Sequence, residues 1–165
     1  MQEYIIRKAN LDDLEQISEL EKICFPKSEA ATKDILKKRL GKYSDYFFVL
    51  VISGQIVSMV NGMVTDEPDL LDEMYSDESL HNVNGEWQMI FGVDTHPEYR
   101  NNGLAAAVLK AFINNARNEK RRGVVLTCKE KLIHYYEKFG FVNEGISGSV
   151  HGNTTWYQMR IKFPV

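Results

Sequence analysis

A strongly apolar strand, Trp87 to Val93, passes through a short polar turn into an amphipathic helix from Gly103 to about Lys120, and a second apolar strand, Val124 to Thr127, follows. A strand–helix–strand unit of this kind makes its two strands a parallel pair with a right-handed crossover, so the chain is committed to a sheet covered by helices. Leu104, Val108, Ala111 and Phe112 share the helix face that must meet that sheet. Phosphate-type ligands are favoured at the N-terminus of such a helix, whose first N–H groups have no helical carbonyl to bond.

Upstream, Tyr4 to Arg7 reads as a short strand, Asn10 as an N-cap, and Leu14, Ile17, Leu20 and Cys24 as the stripe of a first helix. After Phe25-Pro26, Ile35, Leu36 and Leu40 continue a second stripe, which Gly41 can end in a left-handed conformation. The runs Phe47 to Ile52 and Ile56 to Val64 flank Ser53-Gly54, a pair suited to a tight hairpin. Asp66 to Gly85 has no periodicity and reads as a long surface loop with room for a helical turn. Downstream, Leu132, Tyr136 and Phe139 mark a short helix stopped by Gly140, and Phe141 to Ile146 and Thr154 to Phe163 close the chain as strands. The order β-α-α-β-β-β-α-β-α-β-β predicts an α/β (α+β mixed) fold in one domain, residues 1–165. Its central sheet is mixed and mostly antiparallel, with about seven strands, a parallel pair flanking the helix from Gly103, and about four helices.

A chain of 165 residues buries roughly 70% of its unfolded surface and needs neither metal nor disulfide to hold a core. Cys24 and Cys128 lie far apart without a CxxC or metal-ligand partner, which predicts free thiols in a reducing, cytoplasmic setting. No 18 apolar residues run together and no basic-led apolar leader opens the chain, so neither a membrane span nor a signal peptide is expected. With 20 Lys+Arg against 23 Asp+Glu, the net charge of -3 offers no general attraction to nucleic acid. A monomer and a homodimer both remain compatible with the sequence.

The turn Val93-Asp94-Thr95-His96-Pro97-Glu98-Tyr99-Arg100-Asn101-Asn102-Gly103-Leu104-Ala105 has the chemistry of an anion cradle. Gly103 lets backbone approach a ligand, the small Ala105, Ala106 and Ala107 leave the first helical turn uncrowded, and Arg100 adds a cation. It is neither a Walker loop nor a dinucleotide fingerprint, lacking Gly-Lys-Ser/Thr and the three-glycine pattern. The plain alternative is an ordinary turn with an exposed Arg.

The stretch from His96 to Ala105 resembles the acetyl-CoA loop of the GNAT superfamily of N-acyltransferases, Arg/Gln-x-x-Gly-x-Gly/Ala after a strand. Tyr136-Glu-Lys-Phe-Gly-Phe141 is similar to the family's Tyr-x-x-x-Gly-Phe segment, and the strand ending Leu126-Thr127-Cys128 precedes it at the family's interval. Element order agrees over nearly the whole chain, and within the superfamily the arylalkylamine N-acetyltransferase branch is the most similar. The resemblance implies a GNAT-like fold and an acetyl-CoA-dependent transferase without a metal. The backbone of Asn101, Asn102, Gly103, Leu104 and Ala105 would hold the pyrophosphate beside Arg100, and Val93, Asp94 and Thr95 would pair with the pantetheine arm. An N–H near Val93 would polarise the thioester carbonyl. Cys128 would lie near the pantetheine or serve as a buried structural thiol, and in neither case as a nucleophile. Tyr136 would protonate the departing thiolate, the alternative being core packing, with Tyr135 next in line if the register shifts by one.

Two histidines that vertebrate-type members of that branch carry before the CoA loop are replaced here by Met89 and Phe91. Both are expected to face the acceptor, favouring a small apolar or aromatic primary amine and a base elsewhere. His81, His96, His134 and His151 read as surface or turn residues, His96 as one that shapes its turn. Asp66 to Glu78 holds seven acids and no Lys or Arg. It is either a solvated face or a border of the acceptor site, with Glu73 turning inward as a base and Met74 and Tyr75 giving contact. The cluster Arg117, Lys120, Arg121 and Arg122 is read as complementing a helix C-terminus rather than a CoA phosphate. Rival functions are acetylation of a protein N-terminus or lysine and, in a different class, a non-catalytic acyl-CoA-binding module.

Overall fold

The computed structural model describes residues 3–164. In chain order its elements are β1 (Ile5–Lys8), α1 (Leu14–Cys24), α2 (Lys33–Tyr43), β2 (Phe47–Ile52), β3 (Gln55–Asn61), β4 (Val64–Thr65), β5 (Trp87–Ile90), β6 (Gly92–Thr95), α3 (Leu104–Asn118), β7 (Gly123–Cys128), α4 (Ile133–Glu137), β8 (Val142–Ile146) and β9 (Tyr157–Lys162). Among the described residues the strands form two sheets, ordered β1-β2-β3-β6 and β4-β5-β7-β9-β8. Only β5 and β7 pair in parallel, as the crossover through α3 requires. The mixed, mostly antiparallel fold with four helices is therefore the expected one. Its strands are more numerous because two runs are broken. Ile56–Val64 parts at Gly62 and Trp87–Val93 parts at Phe91, and in each case the two halves enter different sheets. An apolar run shows that a segment is buried, but not which strand its backbone will pair with.

By internal contacts the chain forms two units, residues 1–62 with 92–112 and residues 63–91 with 113–165. In the first, Ser53 and Gly54 have φ of +49° and +80°, the left-handed pair that a two-residue hairpin needs. Phe47, Val49 and Val51 of β2 pack with Ile17, Leu20, Leu36, Leu40 and Met59. Phe48 points to the opposite face and meets Phe112 of α3 edge-on at 5.2 Å. Helices thus cover β2 on both sides, which is why it reads as a continuous apolar run instead of alternating. Gly41 does not end α2: the helix continues to Tyr43, because Leu36, Leu40 and Tyr43 form a buried stripe. Their burial outweighs the glycine's cost of about 1 kcal/mol.

In the second unit β7 is the central strand, with β5 on one side and β9 on the other. A Cβ on Gly123 would stand 1.9 Å from the Ile161 carbonyl oxygen, so β9 can approach this closely only at a glycine. The expected loop from Asp66 to Gly85 carries two short 3-10 turns, Asp72–Tyr75 and Glu78–Leu80. Its acids are not without a basic partner. Buried Arg160 of β9 donates to Asp69 (2.8 Å), to the Pro68 carbonyl (2.6 Å) and to Glu144 (2.9 Å), and its guanidinium lies 4.6 Å from the Trp87 ring centroid. That clamp moors the start of the acidic loop to the sheet.

Candidate active site

In the first unit the strand β6 pairs with β3 along one side only, Val93 opposite Val60, Asp94 opposite Met59 and Thr95 opposite Ser58. The His96 N–H donates to Val57 O at 2.8 Å. Alternate residues of an antiparallel strand direct their backbone groups to the partner, so Val93 and Thr95 present theirs along the edge that carries no strand. There Thr95 O accepts from Arg100 Nε (3.0 Å) and from the Cys24 thiol (3.3 Å). His96 Nδ1 accepts the Glu98 N–H at 3.1 Å and shapes the turn as expected, while Asn102 Nδ2 donates to the carbonyls of Tyr99 and Arg100. Asn101 and Gly103 have φ of +66° and +75°. The Gly103 carbonyl accepts the Ala107 N–H, so α3 begins there, and the N–H groups of Leu104, Ala105 and Ala106 have no helical acceptor. Nothing lies within 4 Å of the position a Gly103 Cβ would take. A run of main-chain donors, an unpaired strand edge and a nearby guanidinium fit the pantetheine and pyrophosphate of a coenzyme A ester.

Asp94 offers more than its backbone. Its carboxyl is fully buried beside Glu21, and among the described residues no other group offers either oxygen a hydrogen bond. Burial, then the charge of Glu21, hold it well above the usual carboxylate range. No pattern along the chain signals this, since Glu21 occupies an ordinary position on an amphipathic helix.

In the second unit Tyr136 is buried, its ring edge-on to Phe141 (5.9 Å) and Tyr135 (5.2 Å). This packing is the alternative weighed against its acid role, and a buried phenol is compatible with both. Cys128 is buried, and burial pushes its thiol up to about 11, which keeps it protonated and unsuited to nucleophilic attack. Tyr75 and Phe91 do come together, with ring centroids 5.1 Å apart, and the Tyr75 hydroxyl bonds Thr127 Oγ1 at 2.9 Å. His151 stacks on Tyr75 at 4.8 Å, and Trp156 stands 6.1 Å beyond His151. His151 had been read as a surface or turn residue and Trp156 had not been considered, because both lie more than 70 residues from Tyr75 in a segment without periodicity. Met74 and Met89 are buried in the core, so of the four residues expected to meet an acceptor only Tyr75 and Phe91 keep exposed surface. The inward turn expected of Glu73 is corrected: Glu73 is exposed, and its neighbour Asp72 turns inward to accept from Ser149 Oγ and from the Val150 N–H at 3.0 Å. A carboxylate goes where donors are available, and the Ser149 turn supplies two. His134 is exposed and bonds Glu137, while His81 accepts the Val64 N–H. Of the basic cluster, Arg121 donates to Gly85 O and Glu119 and Arg117 lies over Phe163.

A sequence profile described as the Acetyltransferase (GNAT) family matches residues 14–141. The chain belongs to that family. Serotonin N-acetyltransferase of Mesocricetus auratus is 25% identical over 108 residues, which are 65% of this chain and 51% of that protein. The chain thus spans about half the length of this curated relative. Among solved structures, the loading GNATL domain of CurA from Lyngbya majuscula superposes with a TM-score of 0.84 at 17% identity, covering 97% of this chain and 98% of that one. The GphF GNAT-like decarboxylase in complex with isobutyryl-CoA gives 0.83 at 18% identity, covering 96% and 98%. At these identities the structural likenesses establish the GNAT fold. Among the described residues no group of three or more His, Cys, Asp or Glu is placed to hold a metal, and no helix is long and apolar enough to cross a membrane.

Proposed function

We propose that this chain is an acetyl-CoA-dependent N-acetyltransferase that moves the acetyl group to a primary amine by direct transfer in a ternary complex. The observation that carries the reading is the unpaired edge of β6 running into the Arg100–Ala105 turn and the open first turn of α3. In this reading the Val93 N–H polarises the thioester carbonyl, Thr95 pairs with the pantetheine, and the amides from Asn102 to Ala105 take the pyrophosphate with Arg100 beside them. The amine nitrogen attacks the thioester carbon, the C–S bond breaks, and Tyr136 gives its phenolic proton to the thiolate. Cys128, protonated and buried, forms no acyl intermediate. The half-buried rings of Tyr75, Phe91 and His151 support a small apolar or aromatic amine as the acceptor. Both cysteines are free, in keeping with a reducing, cytoplasmic setting.

The test is a screen of amines and peptides with acetyl-CoA, read as release of CoA thiol and as mass of the acetylated product. Turnover with small aromatic amines above that with peptides supports the reading. Turnover with peptides alone transfers it to protein acetylation, and tight acetyl-CoA binding without turnover to a binding module. One relative is named a decarboxylase, so a carboxylated acyl-CoA without amine belongs in the same plate; carbon dioxide release there, with no amine acetylated, refutes the proposal.

A further inference from the structure

One group of buried polar side chains in the first unit has no part in the chemistry above. Glu21 and Cys24 come from α1, Arg39 from α2, Ser58 and Asn61 from β3, and Asp94 and Thr95 from β6. All but Cys24 are buried. Arg39 Nη1 donates to Asn61 Oδ1 at 3.0 Å, and Glu21 accepts the Ala31 N–H on one oxygen at 2.8 Å. Ser58 Oγ donates to the Asp94 carbonyl at 2.8 Å, which leaves the Asp94 carboxyl to other partners. Among the described residues neither oxygen of that carboxyl meets a donor group beyond its neighbour Glu21, and Asn61 Nδ2 meets no acceptor. Buried polar atoms are nearly always satisfied, so three such atoms in one cluster call for an explanation.

These groups converge on Gly92. A Cβ at that glycine would stand 3.1 Å from Asp94 Oδ1, 3.9 Å from Asn61 Nδ2 and 4.0 Å from the second oxygen of Glu21. Gly92 itself is partly exposed. It also immediately precedes Val93, whose N–H lies on the unpaired edge of β6.

We propose that Glu21 and Asp94 together take the proton that the acceptor amine must lose, reached across the face of Gly92. The proposal rests on the acetyl-transfer reading. An amine of pKa about 10 arrives as an ammonium and cannot attack until a base removes a proton. Burial and the neighbouring charge of Glu21 strengthen the hold of the Asp94 carboxyl on a proton, which is the property a base needs. A carboxylate oxygen takes one proton from the ammonium nitrogen and later returns it to water; the freed lone pair attacks the thioester carbon, and the second N–H proton goes to water as the C–S bond breaks and Tyr136 protonates the thiolate. The direction of the Asp94 shift suits this work, because a carboxyl raised above its ordinary range is a stronger base than an exposed one. Arg39 opposes the shift while Glu21 and Cys24 add to it, so the pair is set by groups from both helices and from β3.

The test compares wild type, Asp94→Asn, Glu21→Gln and Gly92→Ala with acetyl-CoA and two acceptors, a strongly basic alkylamine and an aniline that is already neutral at pH 7. Expected for each variant is a kcat for the alkylamine lower by about 10² or more, acetyl-CoA affinity within twofold, and a much smaller loss for the aniline. The wild-type rise of kcat with pH flattens in Asp94→Asn. Carbon-13 NMR titration of the wild-type carboxyls supplies a readout that needs no variant to fold: one Asp carbon titrates well above the rest. Equal losses for both acceptors, or unchanged pH profiles in both carboxyl variants, overturn the proposal, as does an Asp94 carbon that titrates with the others. No amine turnover in the wild type overturns the acetyl-transfer reading itself, whereas turnover indifferent to these substitutions overturns only the role of the pair.

Discussion

Replacing Gly103 with Val separates what this glycine does for the fold from what it does for a ligand. Its φ of +75° lies in the left-handed region, where a side chain costs about 1–2 kcal/mol. No atom comes within 4 Å of the new Cβ, so the chain adds no steric term of its own. For a chain of this length that strain lowers Tm by roughly 2–8 °C. The effect on acetyl-CoA is larger. The branched side chain stands before the N–H groups of Leu104 and Ala105, and each such donor to a charged phosphate oxygen contributes about 1.5–3 kcal/mol. Loss of two costs about 3–6 kcal/mol, or roughly 10²–10⁴ in Kd. Gly103→Ala carries nearly the same backbone strain with less obstruction and falls between. Titration calorimetry with acetyl-CoA, beside a thermal melt of each variant, measures both terms. A folded Val variant that binds acetyl-CoA within threefold of wild type refutes the assignment of this turn to the pyrophosphate.

Tyr136→Phe keeps the ring against Phe141 and removes one hydroxyl, so acetyl-CoA affinity holds while kcat falls by about 10² in a CoA-release assay. Glu73→Gln, at an exposed carboxyl, leaves the kinetics for a cationic amine unchanged at low salt. Arg160→Met removes the cation that joins Asp69, Glu144 and the Pro68 carbonyl, and lowers stability by about 2–3 kcal/mol in urea unfolding, with faster amide exchange in residues 66–72. The value lies below that of a fully enclosed pair because both carboxylates can rehydrate. Asp94 is raised above its unfolded value, so the folded chain keeps a proton that the unfolded chain releases. Its stabilising contribution is complete below about pH 4 and is lost as pH rises through the folded pKa, by up to about 1.4 kcal/mol per pH unit. Urea midpoints should therefore fall less steeply as pH rises above about 4 in Asp94→Asn than in wild type.

The backbone plan and the Arg100–Ala105 turn are legible in the chain alone, because both are written in local rules. Gly103 needs a positive φ, His96 caps the turn it precedes, Ser53-Gly54 closes a hairpin, and the apolar period switches from two to 3.6 where strand gives way to helix. Tertiary structure alone decided which neighbour each group meets. The breaks at Gly62 and Phe91 depend on where β3 to β6 find pairing partners, and α2 runs through Gly41 because its stripe is buried as far as Tyr43. Asp72 rather than Glu73 turns inward because a serine turn 77 residues away offers it donors. The charge of Glu21, 73 positions away by its numbering, raises the Asp94 carboxyl only because a helix and a strand bring both into a core that water cannot screen. Spacing along a chain fixes which face of its own element a side chain occupies, whereas burial and charge belong to the groups that close around it, and those groups come from elsewhere in the sequence.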